Sequence, residues 1–201
     1  MSFVENTRKP VGLGGKLMVA AMNLGHQALA RWGLGFLNVG PEAEILDCGC
    51  GGGANLHALL KRCPKGTAVG LDYSPVSVAA SRKKNRAAIA AGRCRVEQGD
   101  VSALPFEDEK FDLATAFETV YFWPDLGGSF REVFRVLKPG GTFLICNESN
   151  GDTDRDDKWA KIIGGMTIYK DIELKAYLEQ AGFHEVQIHK KKSWLCVTAR
   201  K

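Results

Sequence analysis

The chain has 201 residues, 45% of them apolar, and a formal net charge of +4. That length suits one large domain with a single core, and no stretch approaches the roughly 20 consecutive apolar residues of a membrane-spanning helix. A charge of +4 gives little drive towards nucleic acid.

The opening MSFVENTRKP lacks the apolar run and small-residue cleavage site of a secretory leader, so a cytoplasmic location is expected. Residues 1–40 read as a helical N-terminal cap. After a lead rich in glycine, Leu17, Ala20, Ala21, Leu24, Ala28 and Leu29 give a helix from Lys16 an apolar side, and Gly33 and Gly35 weaken its end. Glu44 to Asp47 is a short strand that stops in glycines. Asn55 to Arg62 reads as a helix, closed by Pro64 and Gly66. Ala68 to Leu71 is a second strand ending at Asp72, and Ser74 caps a helix with Pro75 in its first turn. Arg95 to Gln98 and Phe111 to Phe117 are strands three and four. A helix occupies Gly128 to Leu137, Lys138-Pro139-Gly140-Gly141 is a hard turn, and Thr142 to Cys146 is the fifth strand. Short links between alternating strands and helices require right-handed crossovers, hence an open, mostly parallel α/β sheet. In the tail, Asp171 caps a helix reaching Ala181. Strand-like Val186 to Ile188 turns at Lys190 to Lys192 into Trp194 to Ala199, and a link so short makes these two strands antiparallel.

The six cysteines, Cys48, Cys50, Cys63, Cys94, Cys146 and Cys196, form no C-x-x-C pair and no zinc spacing, so no metal is expected. Basic residues gather at Arg82, Lys83, Lys84 and Arg86 and at Lys190 to Lys192. Without interleaved aromatics they read as a solvated helix face and a turn, and no nucleic-acid partner is expected.

Asp47-Cys48-Gly49-Cys50-Gly51-Gly52-Gly53 lies between a strand and a helix, where glycines permit a sharp turn and close approach of backbone to a ligand. A P-loop would need Gly-Lys-Ser or Gly-Lys-Thr, and the chain has Gly53-Ala54-Asn55. Gly49, Gly51 and Ala54 do satisfy the dinucleotide pattern G-x-G-x-x-A. Asp47, however, places a carboxylate where a pyrophosphate would be repelled, and favours a cationic ligand met directly or through water. S-adenosylmethionine carries an ammonium and a sulfonium and no phosphate. Asp72 is placed to accept from ribose hydroxyls, Tyr73 to cover an adenine ring, and Asp100 and the Val101 N–H to meet the adenine edge. All four follow strand ends, where open α/β sheets bind ligands.

With these stretches in hand, ILDCGCGGG, VGLDYSP, QGDVSALPFEDEKFDLA and FREVFRVLKPGGTFLI, the chain resembles the class I S-adenosylmethionine-dependent methyltransferases, in the methyltransferase type 11 group. The resemblance covers roughly residues 42–150. It implies a Rossmann-like seven-stranded sheet of order 3-2-1-4-5-7-6, strand 7 antiparallel, with helices on both faces. It implies one domain over 1–201, with 147–170 a short substrate-side insert. It also puts Gly49, Cys50 and Gly51 around the methionine moiety, Asp72 on the ribose, Asp100 and Val101 at the adenine, and Phe117 and Glu118 beside the cofactor. The expected reaction is methyl transfer to a small molecule, by a monomer or homodimer. Should the acceptor need deprotonation, the catalytic candidates are His26, Glu118, Tyr121 and Glu148. The rival readings are a nicotinamide-dependent oxidoreductase, a non-catalytic S-adenosylmethionine-binding protein, and an RNA methyltransferase.

Overall fold

The computed structural model describes Gly12, Gly14, Gly15, Leu17, Met18 and residues 25–201. Helix α1 (Gln27–Leu34) precedes strand β1 (Glu44–Cys48), helix α2 (Ala54–Arg62) and strand β2 (Thr67–Asp72). Helices α3 (Pro75–Lys84) and α4 (Arg86–Ala90) lead to β3 (Cys94–Gln98) and β4 (Phe111–Phe117). Then come α5 (Leu126–Val136), β5 (Leu137–Asn147), α6 (Asp154–Ile162), α7 (Asp171–Gln180), β6 (His184–Lys191) and β7 (Trp194–Arg200). The seven strands form one sheet in the order β3-β2-β1-β4-β5-β7-β6, with β7 antiparallel to both its neighbours. This is the order the resemblance implied.

The strands that read as unbroken apolar runs are the ones covered on both faces. Neighbouring Ile45 and Leu46 are both fully buried, in separate clusters. Leu46 joins Phe130, Phe143 and Leu174, and Ile45 joins Leu56, Leu59 and Leu144. Each such side chain stabilises the fold by roughly 1.5–3 kcal/mol relative to exposure. Helix α1 packs beside β5 through Leu29, Ala30, Gly33 and Leu34. The contact is close: a Cβ on Gly33 would stand 2.6 Å from Cys146 Sγ. The rest of the expected N-terminal helix lies largely outside the described residues. Among the described residues no helix is long and apolar enough to cross a membrane.

Three local expectations are corrected. Lys138 to Gly141 is not a turn before the strand. It is a four-residue excursion within β5, between the pairs Phe111↔Leu137 and Leu113↔Thr142, and it is held because Gly140 N donates to Lys201 O and Lys201 N to Gly141 O. The cap of the last helix is Lys170, not Asp171, which is the first helical residue; Glu173 reaches back and accepts from Lys170 N at 2.7 Å. The final hairpin turns later than Lys190, since pairing continues to Lys191↔Trp194.

The sheet order reverses between β1 and β4. From β1 the chain winds outward to β2 and β3; from β4 it winds the other way to β5. The loops after β1 and β4 therefore leave the sheet in opposite directions and open a crevice at their carboxyl ends.

Candidate active site

The loop after β1 is tied to the end of β2. Gly49 N and Cys50 N both donate to Leu71 O, at 2.8 and 3.0 Å. Gly51 N donates to Asp72 Oδ2 at 2.8 Å, and Ser74 N donates to Asp72 Oδ1 at 2.9 Å. Two backbone donors thus fix the carboxylate of Asp72 at the floor of the crevice. Burial pushes its pKa up, and the two N–H groups pull it back. Gly49 has φ +76°, and a Cβ there would lie 2.1 Å from Thr119 Oγ1, so glycine alone lets the β1 and β4 loops meet. Gly51 has φ +51°, and a Cβ there would meet nothing within 4 Å. Its bare backbone faces the open space of the cleft.

Asp47 lies beneath this loop, 1% exposed, and is not in the cleft lining. Thr115 Oγ1 donates to its Oδ1 at 2.7 Å, while Oδ2 is buried with no hydrogen-bond partner. Burial, opposed by the Thr115 bond and reinforced by Asp72, raises its pKa to about 7. Cys50 offers the cleft its backbone, because its thiol turns inward towards Ser81 Oγ.

At the end of β3, Asp100 caps the short 3-10 helix Val101–Ala103, its Oδ1 accepting from Ser102 N at 2.9 Å. Asp100, Val101 and Tyr73 line one end of the cleft.

The β4 loop and the N-terminal helix form the other end. Glu118 adopts φ +57°, an uncommon conformation for a side-chain-bearing residue. Its Oε1 accepts from Glu148 N and from Tyr121 OH. Tyr121 OH also accepts from Ser149 N at 2.9 Å. The phenol thereby ties the ends of β4 and β5 together, and it is 3% exposed and absent from the cleft lining. Glu118 Oε2 lies 3.9 Å from His26 Nε2, and Glu148 Oε2 lies 3.7 Å from the same nitrogen. The ligating atoms of these three residues all lie within 4.8 Å of one another, a spacing that also admits a metal ion. Burial drives Glu118 up to about 8, with the charge of Glu148 adding to the shift. Burial lowers the pKa of His26, partly offset by Glu148.

Of the residues picked from sequence, Gly49, Cys50, Gly51, Asp72, Tyr73, Asp100, Val101, Phe117, His26 and Glu118 all border one cleft. Glu148 lies against His26 without being part of the cleft lining, and Tyr121 and Asp47 stand behind the cleft. The sequence reading passed over Thr119, Ser77, Asn55 and Gln27, which also line the cleft. Thr119 carried one usable signal: it follows β4, the strand beside β1, and so had to meet the glycine loop.

A family signature described as a methyltransferase domain matches residues 46–145. Demethylmenaquinone methyltransferase of Roseiflexus castenholzii is 35% identical over 147 residues, covering 73% of this chain and 60% of that protein. Cycloartenol-C-24-methyltransferase 1 of Oryza sativa is 34% identical over 109 residues, covering 54% of this chain and 31% of the plant protein. The chain thus spans less than two thirds of the length of either relative. A methyltransferase of Aquifex aeolicus, described as SAM-dependent, superposes with a TM-score of 0.76 at 19% identity, covering 92% of this chain and 97% of its own. Signature, sheet order and glycine loop agree, and the chain belongs to the class I S-adenosylmethionine-dependent methyltransferases, in the methyltransferase type 11 group.

Proposed function

We propose that the protein transfers a methyl group from S-adenosylmethionine to a small organic acceptor. The observation that carries this is the pairing of Asp72 with the glycine loop at the point where the sheet order reverses. A buried carboxylate stands there beside bare backbone at Gly51, and no Lys or Arg borders the cleft among the described residues. A phosphate-bearing cofactor would meet carboxylates and no cation, which disfavours a nicotinamide dinucleotide. The cofactor fits in two further respects. The space over Gly51 is room that a side chain would fill, and the orphaned Oδ2 of Asp47 is an acceptor under the loop that would enclose the methionine moiety.

In this reading Asp72 accepts from the ribose hydroxyls, and Tyr73, Asp100 and Val101 enclose the adenine. Gly49, Cys50 and Gly51 hold the methionine moiety, and Phe117 packs beside it. When bound, the cofactor supplies an electrophilic methyl on a sulfonium. The chain's part is to orient acceptor and donor, to exclude water and to receive a proton. The names of the relatives, a sterol and a menaquinone methyltransferase, point to small acceptors. Glu118, His26 and Glu148 are the groups able to take a proton from one, with Tyr121 fixing Glu118.

Calorimetry with S-adenosylhomocysteine tests this. Saturable binding is expected, weakened at least tenfold by Asp72→Ala, with no binding of NADH. Failure of the unaltered protein to bind S-adenosylhomocysteine or S-adenosylmethionine overturns the proposal.

A further inference from the structure

We propose that the methyl acceptor is an amine, bound as its ammonium by Glu118, Glu148 and His26, with Glu118 receiving the proton that the nitrogen must lose. The inference rests on the methyl-transfer reading of the same cleft and names its substrate class.

The chain has 27 basic and 23 acidic residues, yet the described residues bordering the cleft include Asp72, Asp100 and Glu118 and neither Lys nor Arg. An anionic acceptor would therefore enter a field of its own sign. Asp72 and Asp100 are committed to backbone donors at the cofactor end. The other end has carboxylates with no cation to answer them. Glu118 Oε1 is occupied by Glu148 N and Tyr121 OH, while its Oε2 and Glu148 Oε2 stand 3.9 and 3.7 Å from His26 Nε2. Both gaps are too long for a hydrogen bond. Three acceptors thus surround a space that none of them closes.

An alkylammonium has three donors to offer such a space. Acceptors about 2.9 Å from a tetrahedral nitrogen stand roughly 4.7 Å apart; here His26 Nε2 is 3.9 and 3.7 Å from the two carboxylate oxygens and no pair exceeds 4.8 Å, a triangle over which a nitrogen sits with its angles narrowed. A metal with ligands at about 2.1 Å in tetrahedral geometry would draw them to roughly 3.4 Å. Burial keeps His26 neutral by lowering its pKa, and holds Glu118 near 8, so Glu118 is a carboxylate able to take the proton above that pH or once the charge of an ammonium placed against it draws its pKa down again. The groups facing Glu118 are His26 from α1, Glu148 and Cys146 at the end of β5, and Tyr121 of its own loop.

The step balances. One N–H proton passes to Glu118 Oε2. Rotation about the C–N bond turns the freed lone pair from Glu118 towards the sulfonium methyl, and the two remaining N–H groups exchange partners among the three acceptors as they turn with it. The N–C bond forms as the S–C bond breaks, and its electron pair stays on sulfur. The products are a methylated ammonium and a neutral thioether, and the proton on Glu118 leaves to solvent past half-exposed Glu148.

The test uses the full chain saturated with S-adenosylhomocysteine, titrated with phenethylamine, hexylamine, phenethyl alcohol and 3-phenylpropionate. Methyl transfer from labelled S-adenosylmethionine to each is measured in parallel. The expected result is at least a tenfold preference for the amines in binding and transfer. Glu118→Gln and Glu148→Gln should each reduce amine binding at least tenfold, and Glu148→Gln should leave S-adenosylhomocysteine affinity within twofold. If S-adenosylhomocysteine binds but the alcohol or the acid is preferred, neither amine binds, or both variants bind amine normally, the amine assignment is overturned and the methyl-transfer reading survives. Tight Zn2+ binding that is lost in His26→Ala would reassign the cluster to a metal and also overturn it. If S-adenosylhomocysteine itself fails to bind, both fall together.

Discussion

Glu118→Gln should make the protein more resistant to alkali. In the native fold this carboxyl is pushed from its ordinary 4.5 up to about 8, first by burial and then by Glu148. A carboxyl whose folded pKa is raised holds its proton in the native state after the unfolded chain has released it. Its contribution to stability is therefore complete below about pH 4.5 and is lost as the pH rises to about 8. At about 1.36 kcal/mol per pH decade the full loss is roughly 5 kcal/mol. The side chain is 15% exposed, so water reaches it and a loss of about 2–5 kcal/mol is expected. Glutamine keeps an oxygen for Glu148 N and Tyr121 OH and cannot ionise. Asp47, raised to about 7, shifts stability in the same direction between about pH 4 and 7, and His26, lowered, shifts it the opposite way below about pH 6.5. Both act in each protein, so the difference between them isolates residue 118. Urea unfolding at pH 5, 7 and 9 should show the variant gaining at least about 2 kcal/mol on the wild type between pH 5 and 9, or about 4–8 °C in Tm for a chain of this size. Curves that run parallel across that range would refute a buried, uncompensated carboxyl at position 118.

Thr115→Val removes the hydroxyl that donates to Asp47 Oδ1 and should cost about 1–3 kcal/mol above pH 8 in urea unfolding. Gly51→Ala places a methyl in open space, so calorimetry should show S-adenosylhomocysteine affinity falling at least tenfold, while thermal unfolding registers only the roughly 1–3 kcal/mol of a left-handed alanine. Tyr121→Phe leaves Ser149 N without its acceptor and frees Glu118. It should lower kcat for the acceptor more than fivefold with cofactor affinity unchanged, which steady-state kinetics beside calorimetry would resolve.

The strand ends were legible because chain stops and ligand groups coincide there. Asp47 and Asp72 each follow an apolar run, Asp100 follows a strand of alternating burial, and each precedes a turn, a junction that periodicity finds. Depth was not legible. Asp47 and Asp72 both close apolar strand runs, yet Asp47 lies inside β1, paired with Gly70, where Thr115 of the neighbouring strand seals it beneath the loop through a contact that spans 68 positions. Distance along the chain likewise concealed the cluster of His26, Glu118 and Glu148. Each residue was a separate candidate until α1, docking Gly33 against Cys146, carried His26 to the mouth of the cleft. Tyr121 had the right position in sequence. The fold turned it inward, where it holds Glu118 from behind the cleft.

The basic runs show the same limit from the other side. Read in sequence, Arg82 to Arg86 and Lys190 to Lys192 are a solvated helix face and a turn, with RNA as a partner only in a rival reading. In the fold, Arg82 donates twice to Val96 O, which locks α3 to β3. Lys190 bridges Asp152 and Asp171 at 3.0 and 2.9 Å, fastening the 147–170 insert and the start of α7 to the final hairpin. Their charge holds the scaffold. The cleft is left with carboxylates, so the sign that decides what enters it is opposite to that of the chain as a whole, and net charge was the wrong quantity from which to infer a partner.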